Sequence, residues 1–257
     1  MKIQIVSDLH LEFFPNRQWI SENPLICRGD MLLMAGDIIC DIYKKKARSF
    51  YSKISADFPF IISTMGNHEF YRGIINYAYP SYQSKLAENH LKLNNNTYII
   101  DDIKFIVTTL WSYVPPEKSA IIKSRLNDYH YISRTNFYKE KYLISIQDTN
   151  RYHQQSINFL TRELAKPFDG NVVIMTHHIP SYMCISDEFK SSPLNPAYVT
   201  NLDDMIASHP QIKLWVCGHS HDFNYTCIGK TIVVRNPLGY VDYCQQRDFK
   251  RDFYVEI

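Results

Sequence analysis

Short apolar runs, each stopped by a glycine or a polar residue, recur along the chain and are typical of buried strands. They cover residues 2–7, 31–35, 60–64, 104–109, 171–176 and 213–217. Between several of these runs the apolar residues repeat with helical spacing, which predicts helices. The predicted helices cover residues 42–57, 76–90, 152–166 and 202–208. This alternation of strand and helix predicts an α/β fold.

Hairpin signals mark two further parts of the chain. Residues 98–100 and 104–109 flank Asp101-Asp102, a pair that suits a two-residue turn between antiparallel strands. The last third is strand-rich, with Gly229-Lys230 as its first turn. Its predicted hairpin-type strands cover residues 223–228, 231–235 and 252–257. The whole pattern predicts two sheets, at least one of them mixed.

Residues 112–151 and 179–200 lack a regular pattern and are predicted as loops. No repeat or linker interrupts the chain, and 45% of its 257 residues are hydrophobic, enough for a sizeable core. We therefore expect one domain over residues 1–257.

The charge balance argues against two classes of partner. A net charge of +2 is too small to indicate binding to nucleic acid or to an anionic membrane. No apolar run approaches the roughly 18–20 residues that span a bilayer. A strand predicted from residue 2 leaves no room for a signal peptide. The six cysteines form no C-x-x-C pair and suit a reducing compartment, so we expect a cytoplasmic protein. The sequence indicates no oligomeric state.

Five short polar clusters each follow a predicted strand. They are Asp8-Leu9-His10, Gly36-Asp37, Gly66-Asn67-His68-Glu69, His177-His178 and Gly218-His219-Ser220-His221. Each cluster alone has a plain structural reading, as a turn, a helix cap or a core histidine. Ligands of open α/β sheets gather beyond the carboxyl ends of the strands, so all five together favour one common site.

The residue types in these clusters are metal ligands. Asp8 and His10 are two positions apart at a strand end, where side chains point to the same side, and His219 and His221 repeat the arrangement. Imidazole nitrogen with carboxylate or amide oxygen suits Mn²⁺, Fe²⁺, Zn²⁺ or Co²⁺. The set is large enough for two divalent ions, which lie about 3.5–4 Å apart when a carboxylate bridges them. The neighbouring glycines permit sharp turns close to the ions.

In this order the clusters resemble the calcineurin-like metallophosphoesterases, whose pattern is D-x-H, G-D, G-N-H-[DE], H and G-H-x-H. The resemblance covers residues 8–221, and further blocks resemble a bacterial subgroup of that family. It implies a four-layer α/β/β/α sandwich with two mixed β-sheets. In the subgroup an arginine commonly follows an Asn-Pro pair, whereas Leu238 stands there in this chain, which puts an anion contact at that position in doubt.

The resemblance also implies roles for the residues that match. One ion would be held by Asp8, His10, Asp37 and His221. The other would be held by Asp37, Asn67, His177 and His219, with Asp37 bridging. His68 matches the catalytic histidine, which lies near the leaving-group oxygen. His177 directly follows its strand and is favoured over His178, which stays open as the alternative ligand. Mn²⁺ or Fe²⁺ is favoured over Zn²⁺ or Co²⁺.

These roles predict hydrolysis of a phosphate ester by a metal-activated hydroxide. A small phosphodiester is favoured as substrate, with phosphomonoesters and pyrophosphates as alternatives. A non-catalytic metal-binding scaffold is the alternative from another class. Residues 112–151 and 179–200 are the predicted substrate-site loops. Within them Asn127, Asp128 and Tyr129 are candidates for substrate contact, and a helix cap with a packing tyrosine is an equally good reading.

Overall fold

The computed structural model describes residues 1–76, 79 and 81–257, and its first three strands alternate with two α-helices, after which five further strands follow before the next α-helix. In chain order the strands are β1 (Lys2–Val6), β2 (Met31–Met34), β3 (Ile61–Ser63), β4 (Ile74–Ile75), β5 (Tyr82–Ala87), β6 (His90–Asn94), β7 (Asn96–Ile100), β8 (Ile103–Val107), β9 (Ser133–Thr135), β10 (Lys141–Leu143), β11 (Asn171–Met175), β12 (Ile212–Val216), β13 (Asn224–Ile228), β14 (Thr231–Arg235) and β15 (Tyr254–Glu256). The helices are α1 (Phe14–Glu22), α2 (Arg48–Asp57), α3 (Ser119–Arg125), α4 (Asp128–Tyr131), α5 (Ile146–Leu164) and α6 (Asp203–Ser208).

Two six-stranded mixed sheets share the same plan. The first has the order β15-β1-β2-β3-β6-β5 and the second has the order β13-β14-β12-β11-β8-β7. In each sheet the four central strands run parallel, and one antiparallel strand closes each edge. Strands β10, β9 and β4 form a small third sheet. The predicted pair of mixed sheets is confirmed.

The two large sheets pack face to face around one apolar core. Alternate strand residues point into it from both sides, including Ile5 and Leu33 of the first sheet and Phe105 and Val173 of the second. These side chains are fully buried. Because strand side chains alternate between faces, the opposite faces of the same strands must be covered by other elements.

Helices cover both outer faces. Ile20 of α1 and Ile54 of α2 pack in one cluster with residues of β1, β2 and β3. Leu160 of α5 and Ile206 of α6 pack in another cluster with residues of β8, β11, β12 and β14. The four layers α/β/β/α implied by the resemblance are therefore present. No helix within residues 1–76, 79 and 81–257 is both long and apolar enough to cross a membrane.

Several predicted elements are confirmed, with shifted ends. The hairpin around Asp101-Asp102 is formed by β7 and β8. The predicted helix at 42–57 begins as a 3₁₀ segment over Asp41–Ala47 and continues as α2. Helix α5 begins six residues before the predicted start because Ser145 and Asp148 form a capping box.

Other predictions are wrong. Where a helix was predicted at 76–90, β5 is followed by the start of β6, because β6 pairs with β3 and with β5 and this pairing overrides local spacing. Residues 77, 78 and 80 of that prediction lie outside the described residues. The strand predicted at 252–257 forms no hairpin with its neighbour in sequence, since β15 joins the first sheet beside β1. The segment 112–151, predicted as a loop, contains α3, α4 and the hairpin of β9 and β10.

Candidate metal centre

The fold gathers the predicted ligands at one end of the sandwich. Asp8, Asp37 and Asn67 follow the parallel neighbours β1, β2 and β3 of the first sheet. His177 and His219 follow the parallel neighbours β11 and β12 of the second sheet. The carboxyl ends of all these strands face the same edge, as expected for a ligand site of an α/β protein.

One group of ligand atoms comprises Asp8, His10 and His221, whose atoms all lie within 4.8 Å of one another. The Nε2 atoms of His10 and His221 are 3.1 Å apart. His221 Nε2 lies 3.6 Å from Asp8 Oδ1. Gln245 Oε1 accepts a hydrogen bond from His221 Nδ1 at 2.7 Å, which leaves Nε2 directed at the other two ligands.

A second group comprises Asp37, His177 and His219, again within 4.8 Å. His177 Nε2 lies 3.5 Å from Asp37 Oδ1 and 3.0 Å from Asn67 Oδ1. The other carboxylate oxygen of Asp37, Oδ2, lies 3.8 Å from His10 Nε2 in the first group. Asp37 therefore stands between the two groups, the place in which the resemblance expects a bridging carboxylate.

The donor set fits a metal ion. His219 Nε2 is buried and has no hydrogen-bond partner, and an unsatisfied buried polar atom costs about 1–3 kcal/mol. Ligand atoms of Asp37 and His177 lie within 4.8 Å of a His219 ring nitrogen, and Asp8, His10 and His221 form the neighbouring group. Nitrogen and oxygen ligands without sulfur suit divalent first-row metals. A cation between these atoms would satisfy His219 and balance the carboxylate charge.

Backbone strain is concentrated at the same residues. Asp8, His10, Asp37 and His219 have φ values of 51°, 46°, 55° and 70°, in the left-handed region that residues with a side chain rarely adopt. Hydrogen bonds hold these turns, including His10 N to Asp37 O at 2.9 Å and His219 N to Asp8 Oδ1 at 3.0 Å. Such strain costs on the order of 1–3 kcal/mol per residue and clusters at functional sites.

Two glycines allow the loops to approach each other. A Cβ atom on Gly66 would lie 2.1 Å from Asp37 Oδ1, and one on Gly36 would lie 2.6 Å from His177 Nδ1. Gly36 also has a φ of +87°. The ligands therefore come this close only because these positions carry no side chain.

Glu69 fastens the two loops that carry Asp37 and Asn67. Its carboxylate accepts hydrogen bonds from the backbone N–H groups of Asp37, Ile38 and Gly66 at 2.9, 2.9 and 2.6 Å. Burial raises the pKa of Glu69 to about 7, although the charge of Lys92 opposes the shift. Glu69 therefore has a structural role, because it holds together the two loops that carry Asp37 and Asn67.

The adjacent histidines His177 and His178 occupy different environments. His177 Nδ1 lies 2.8 Å from Ala35 O, so its Nε2 points at Asp37 and Asn67. His178 Nδ1 instead lies 3.3 Å from a backbone oxygen, that of Thr109. Burial opposes protonation of both rings, yet the Asp37 charge raises the pKa of His177 to about 10, whereas burial lowers that of His178 to about 3. This geometry supports the preference for His177.

His68 is held on three sides. Its Nδ1 lies 2.8 Å from Glu12 Oε1, its Nε2 lies 3.3 Å from the Tyr240 hydroxyl, and its ring stacks on Tyr71 at 3.9 Å between centroids. Burial opposes charge on the imidazole, but Asp37 and Glu12 raise the pKa of His68 to about 9. The ring is thus held beside the first ligand group, with its centroid 4.4 Å from that of His10.

Glu12 is a site residue that the sequence reasoning missed. Its Oε1 accepts from His68 Nδ1 at 2.8 Å and lies 3.3 Å from His10 Nδ1, and its side chain is only 5% exposed. One carboxylate thereby orients both a predicted ligand and the predicted catalytic histidine, a common role beside metal sites. The signal was its position two residues after His10, close enough along the chain for its carboxylate to reach the His10 ring.

The predicted substrate residues divide into three roles. Asn127 lines the cavities beside the ligand groups. Asp128 is buried and accepts from Asn67 Nδ2 at 2.8 Å and from the Tyr71 hydroxyl at 2.7 Å, so it orients Asn67. Tyr129 packs in an apolar cluster, and its hydroxyl lies 3.1 Å from Thr149 Oγ1. The structure therefore gives Tyr129 its packing role.

Two cavities meet at His68. One, of about 480 Å³, contains Asp37 and His219 and is walled by the loop 179–200. The other, of about 580 Å³, extends past Glu12. Both are lined by His68, Tyr71, Asn127 and Tyr240.

Leu238 contributes no anion contact. It is fully buried in the cluster that packs beneath the first sheet. Its backbone N–H donates to Ser7 O at 3.1 Å, which holds the last part of the chain against β1. Leu238, which stands where the subgroup commonly has an arginine, therefore has a packing role.

A sandwich of two mixed sheets with Asp, Asn and His side chains gathered beyond the strand ends defines the metallophosphoesterase class. The sequence model of the calcineurin-like phosphoesterase family matches residues 1–223, and the chain belongs to that family. It is accordingly a metal-dependent hydrolase of phosphate esters.

Two similar proteins extend the comparison over the full chain. The chain is 30% identical over 284 residues to "Uncharacterized protein L509" of Acanthamoeba polyphaga mimivirus, covering 99% of this chain and 96% of that protein. The crystal structure of phosphopantetheinyl hydrolase from Mycobacterium tuberculosis has a TM-score of 0.66 at 15% identity, covering 99% of this chain and 95% of the other. This second similarity shows a shared fold.

Proposed function

We propose that the protein hydrolyses phosphodiesters at a centre of two divalent metal ions. One ion would be held by Asp8, His10, Asp37 and His221. The other would be held by Asp37, Asn67, His177 and His219. The position of Asp37 between the two ligand groups supports this division. Mn²⁺ or Fe²⁺ suits these nitrogen and oxygen donors, and Zn²⁺ or Co²⁺ would also be accepted.

The observation that carries the diester preference is the pair of cavities that meet at His68. A phosphodiester carries two organic substituents, and each cavity can take one while the phosphate lies at the ligand groups. A phosphomonoester would leave one cavity without a substituent. The loop 179–200 and residues of the segment 112–151, including Asn127, line the cavities and are the proposed substrate-site segments.

The side chains beside the ligands suggest how the reaction is assisted. When bound, the ions would neutralise phosphate charge and acidify a water molecule. His68 lies where the cavities meet and would donate a proton to the departing oxygen. Glu12 and Tyr71 hold the ring of His68, and Asp128 holds Asn67.

Hydrolysis of bis-p-nitrophenyl phosphate and of p-nitrophenyl phosphate by Mn²⁺-loaded protein tests this proposal. Turnover of the diester at a higher kcat/KM than the monoester is expected, and it should be lost in Asp37→Asn. The exposed Asp169 provides a matched control, since Asp169→Asn removes the same charge far from the ligands.

Each other outcome has a defined meaning. Cleavage of the monoester alone would contradict the diester preference and favour phosphatase or pyrophosphatase substrates. Retained activity in Asp37→Asn would overturn the ligand assignment. Two bound ions without turnover of either compound would favour the metal-binding scaffold.

We also propose a cytoplasmic location. All six cysteines are free thiols, and Cys40, Cys184 and Cys217 are buried. This pattern suits a reducing compartment. Thiol titration of the denatured, unreduced native protein should find every cysteine reactive, and a disulfide would contradict the proposal.

A further inference from the structure

The cavity that extends past Glu12 carries chemistry that the ligand groups do not require. Its volume of about 580 Å³ lies in the range of about 300–1,000 Å³ that is usual for small-molecule sites. Aromatic rings form much of its wall. They belong to Phe13, Tyr43, Tyr71, Tyr131, Tyr240 and Tyr243.

These rings meet in edge or tilted contacts, while one face of Tyr71 is covered by His68 and one face of Tyr43 by Lys46. Tyr240 meets Tyr243 with ring centroids 6.0 Å apart in a T-shaped geometry, and it meets Phe13 at 5.5 Å in the same way. Tyr71 and Tyr131 are tilted with centroids 5.9 Å apart. Tyr131 and Tyr243 are exposed, so the wall is accessible to a ligand. A planar group such as a nucleobase could stack on these exposed rings.

Two cations lie at the rim and share one tyrosine. Lys46 Nζ lies 4.4 Å from the centre of the Tyr43 ring, and Arg72 Nη1 donates to the Tyr43 hydroxyl at 3.4 Å. The Arg72 guanidinium also lies 6.0 Å from the Tyr131 ring. Tyr43 therefore holds two positive charges together at the same cavity.

The acidic residues of this cavity do not neutralise both cations. Neither Lys46 nor Arg72 forms an ion pair with a carboxylate among residues 1–76, 79 and 81–257. Glu12 is occupied by His10 and His68. Asp242 is an exposed residue of the same cavity wall, and its single negative charge can balance only one of the two cations. The rim is therefore suited to an anionic group.

We propose that this cavity binds a nucleotide as one substituent of the phosphodiester. The nucleobase would lie against the tyrosine wall, and a second phosphate would lie at Lys46 and Arg72 while the scissile phosphate lies at the ligand groups. This inference rests on the proposed function, since it names the class of substrate for the same site. A phosphate alone would not use the rings, and an uncharged aromatic group would not use the cations.

Calorimetric binding to Mn²⁺-loaded protein tests the inference without requiring turnover. The probes are adenosine 3′,5′-bisphosphate, adenosine 5′-monophosphate and ribose 5-phosphate. The bisphosphate should bind about tenfold or more tightly than either other probe, because it alone offers a base for the rings, one phosphate for the ligand groups and a second phosphate for Lys46 and Arg72. Lys46→Gln/Arg72→Gln should remove most of that preference.

A matched control uses exposed cations of the same segment that do not line the cavity. Lys45→Gln/Arg48→Gln removes the same charge, so it should keep the affinity of the native protein. Equal affinity for all three probes would overturn the inference. So would an unchanged preference in Lys46→Gln/Arg72→Gln, or an equal loss in the control.

The two proposals fail in distinguishable ways. If bis-p-nitrophenyl phosphate is cleaved but the bisphosphate has no advantage, the nucleotide inference falls and the phosphodiesterase stands. If the bisphosphate binds with the expected dependence on Lys46 and Arg72 but no diester is cleaved, the cavity is a nucleotide site and the proposed reaction falls.

Discussion

The two large sheets have the same strand plan, yet they contribute different chemistry to the site. The first sheet carries every oxygen donor, namely Asp8, Asp37 and Asn67, together with His10. The loops after β12 and β11 in the second sheet contribute imidazoles only. Those histidines are His177, His219 and His221. A metal ion in either ligand group would therefore be shared between the sheets, so metal binding and the packing of the sandwich are coupled.

The largest expected effect tests whether Asp37 serves both ligand groups. Asp37→Asn should release both ions and lower turnover about a thousandfold, since several kcal/mol of charge stabilisation are lost with them. Asp8→Asn in the first sheet and His221→Gln in the second should each release the same single ion. Metal content by mass spectrometry, measured beside kcat, checks the pattern.

The metal content of these variants shows which residues share an ion. Asp37→Asn protein that keeps one ion would show that this carboxylate does not bridge. Different residual metal in Asp8→Asn and His221→Gln would show that the two residues do not share an ion. Asp169→Asn should bind the same metal content as the native protein, because its side chain is exposed and lies before β11, at the opposite end of that strand from His177.

A smaller effect is expected at Glu12, which follows β1 of the first sheet and contacts both His68 and His10. Glu12→Gln should slow turnover about 10–100-fold, because His68 and His10 lose the carboxylate that orients them. The loss should be greater for a phenyl ester than for a p-nitrophenyl ester, since the poorer leaving group depends more on proton donation. Steady-state rates with both esters measure this difference.

Glu117 offers a matched control, because it is exposed and lies outside both cavities. Glu117→Gln should leave both rates unchanged. An equal loss with both esters in Glu12→Gln would assign Glu12 to metal binding through His10 and not to the positioning of His68.

The smallest expected effect concerns stability. If the ions join the two sheets, chelation should lower the free energy of unfolding by about 2.7 kcal/mol for each ion removed, relative to protein with metal at a hundredfold excess over Kd. For a domain of this size that corresponds to a fall in Tm of about 5–10 °C. Thermal unfolding with and without chelator measures it. A comparable fall in Asp37→Asn protein would mean that chelation acts elsewhere.

Local sequence patterns were sufficient to predict much of the site. Asp8 with His10, and His219 with His221, were identifiable because ligand-type residues follow directly after apolar strands. The expectation that residues two positions apart share one side holds for Asp8 and His10 but not for His219 and His221, which belong to different ligand groups. The strands before them were identifiable because a run buried on both faces is apolar throughout, as in Met31–Met34. The glycines were identifiable because loop approach excludes a side chain there.

Other features depend on partners distant in sequence. Glu12 orients His68 across 56 positions, and Asp128 orients Asn67 across 61. The strand β5 was predicted as helix; it pairs with β6, and β6 in turn is held by β3, whose Ile61 pairs with His90 outside any local window. The strand β15 was assigned to the wrong neighbour because its partner β1 is at the other end of the chain.

The sequence by itself determined the ligand types, the strand ends that carry them and the family to which the chain belongs. These depend on residue chemistry and on spacing within a few positions. Only the tertiary structure decided which ligands meet, that Asp37 stands between two groups, and that aromatic rings and two cations wall a cavity beside His68. His10 and His221 are 211 positions apart, and the packing of two sheets brings their nitrogens to 3.1 Å. Contacts of that kind follow from burial of the whole core, which no short stretch of sequence contains.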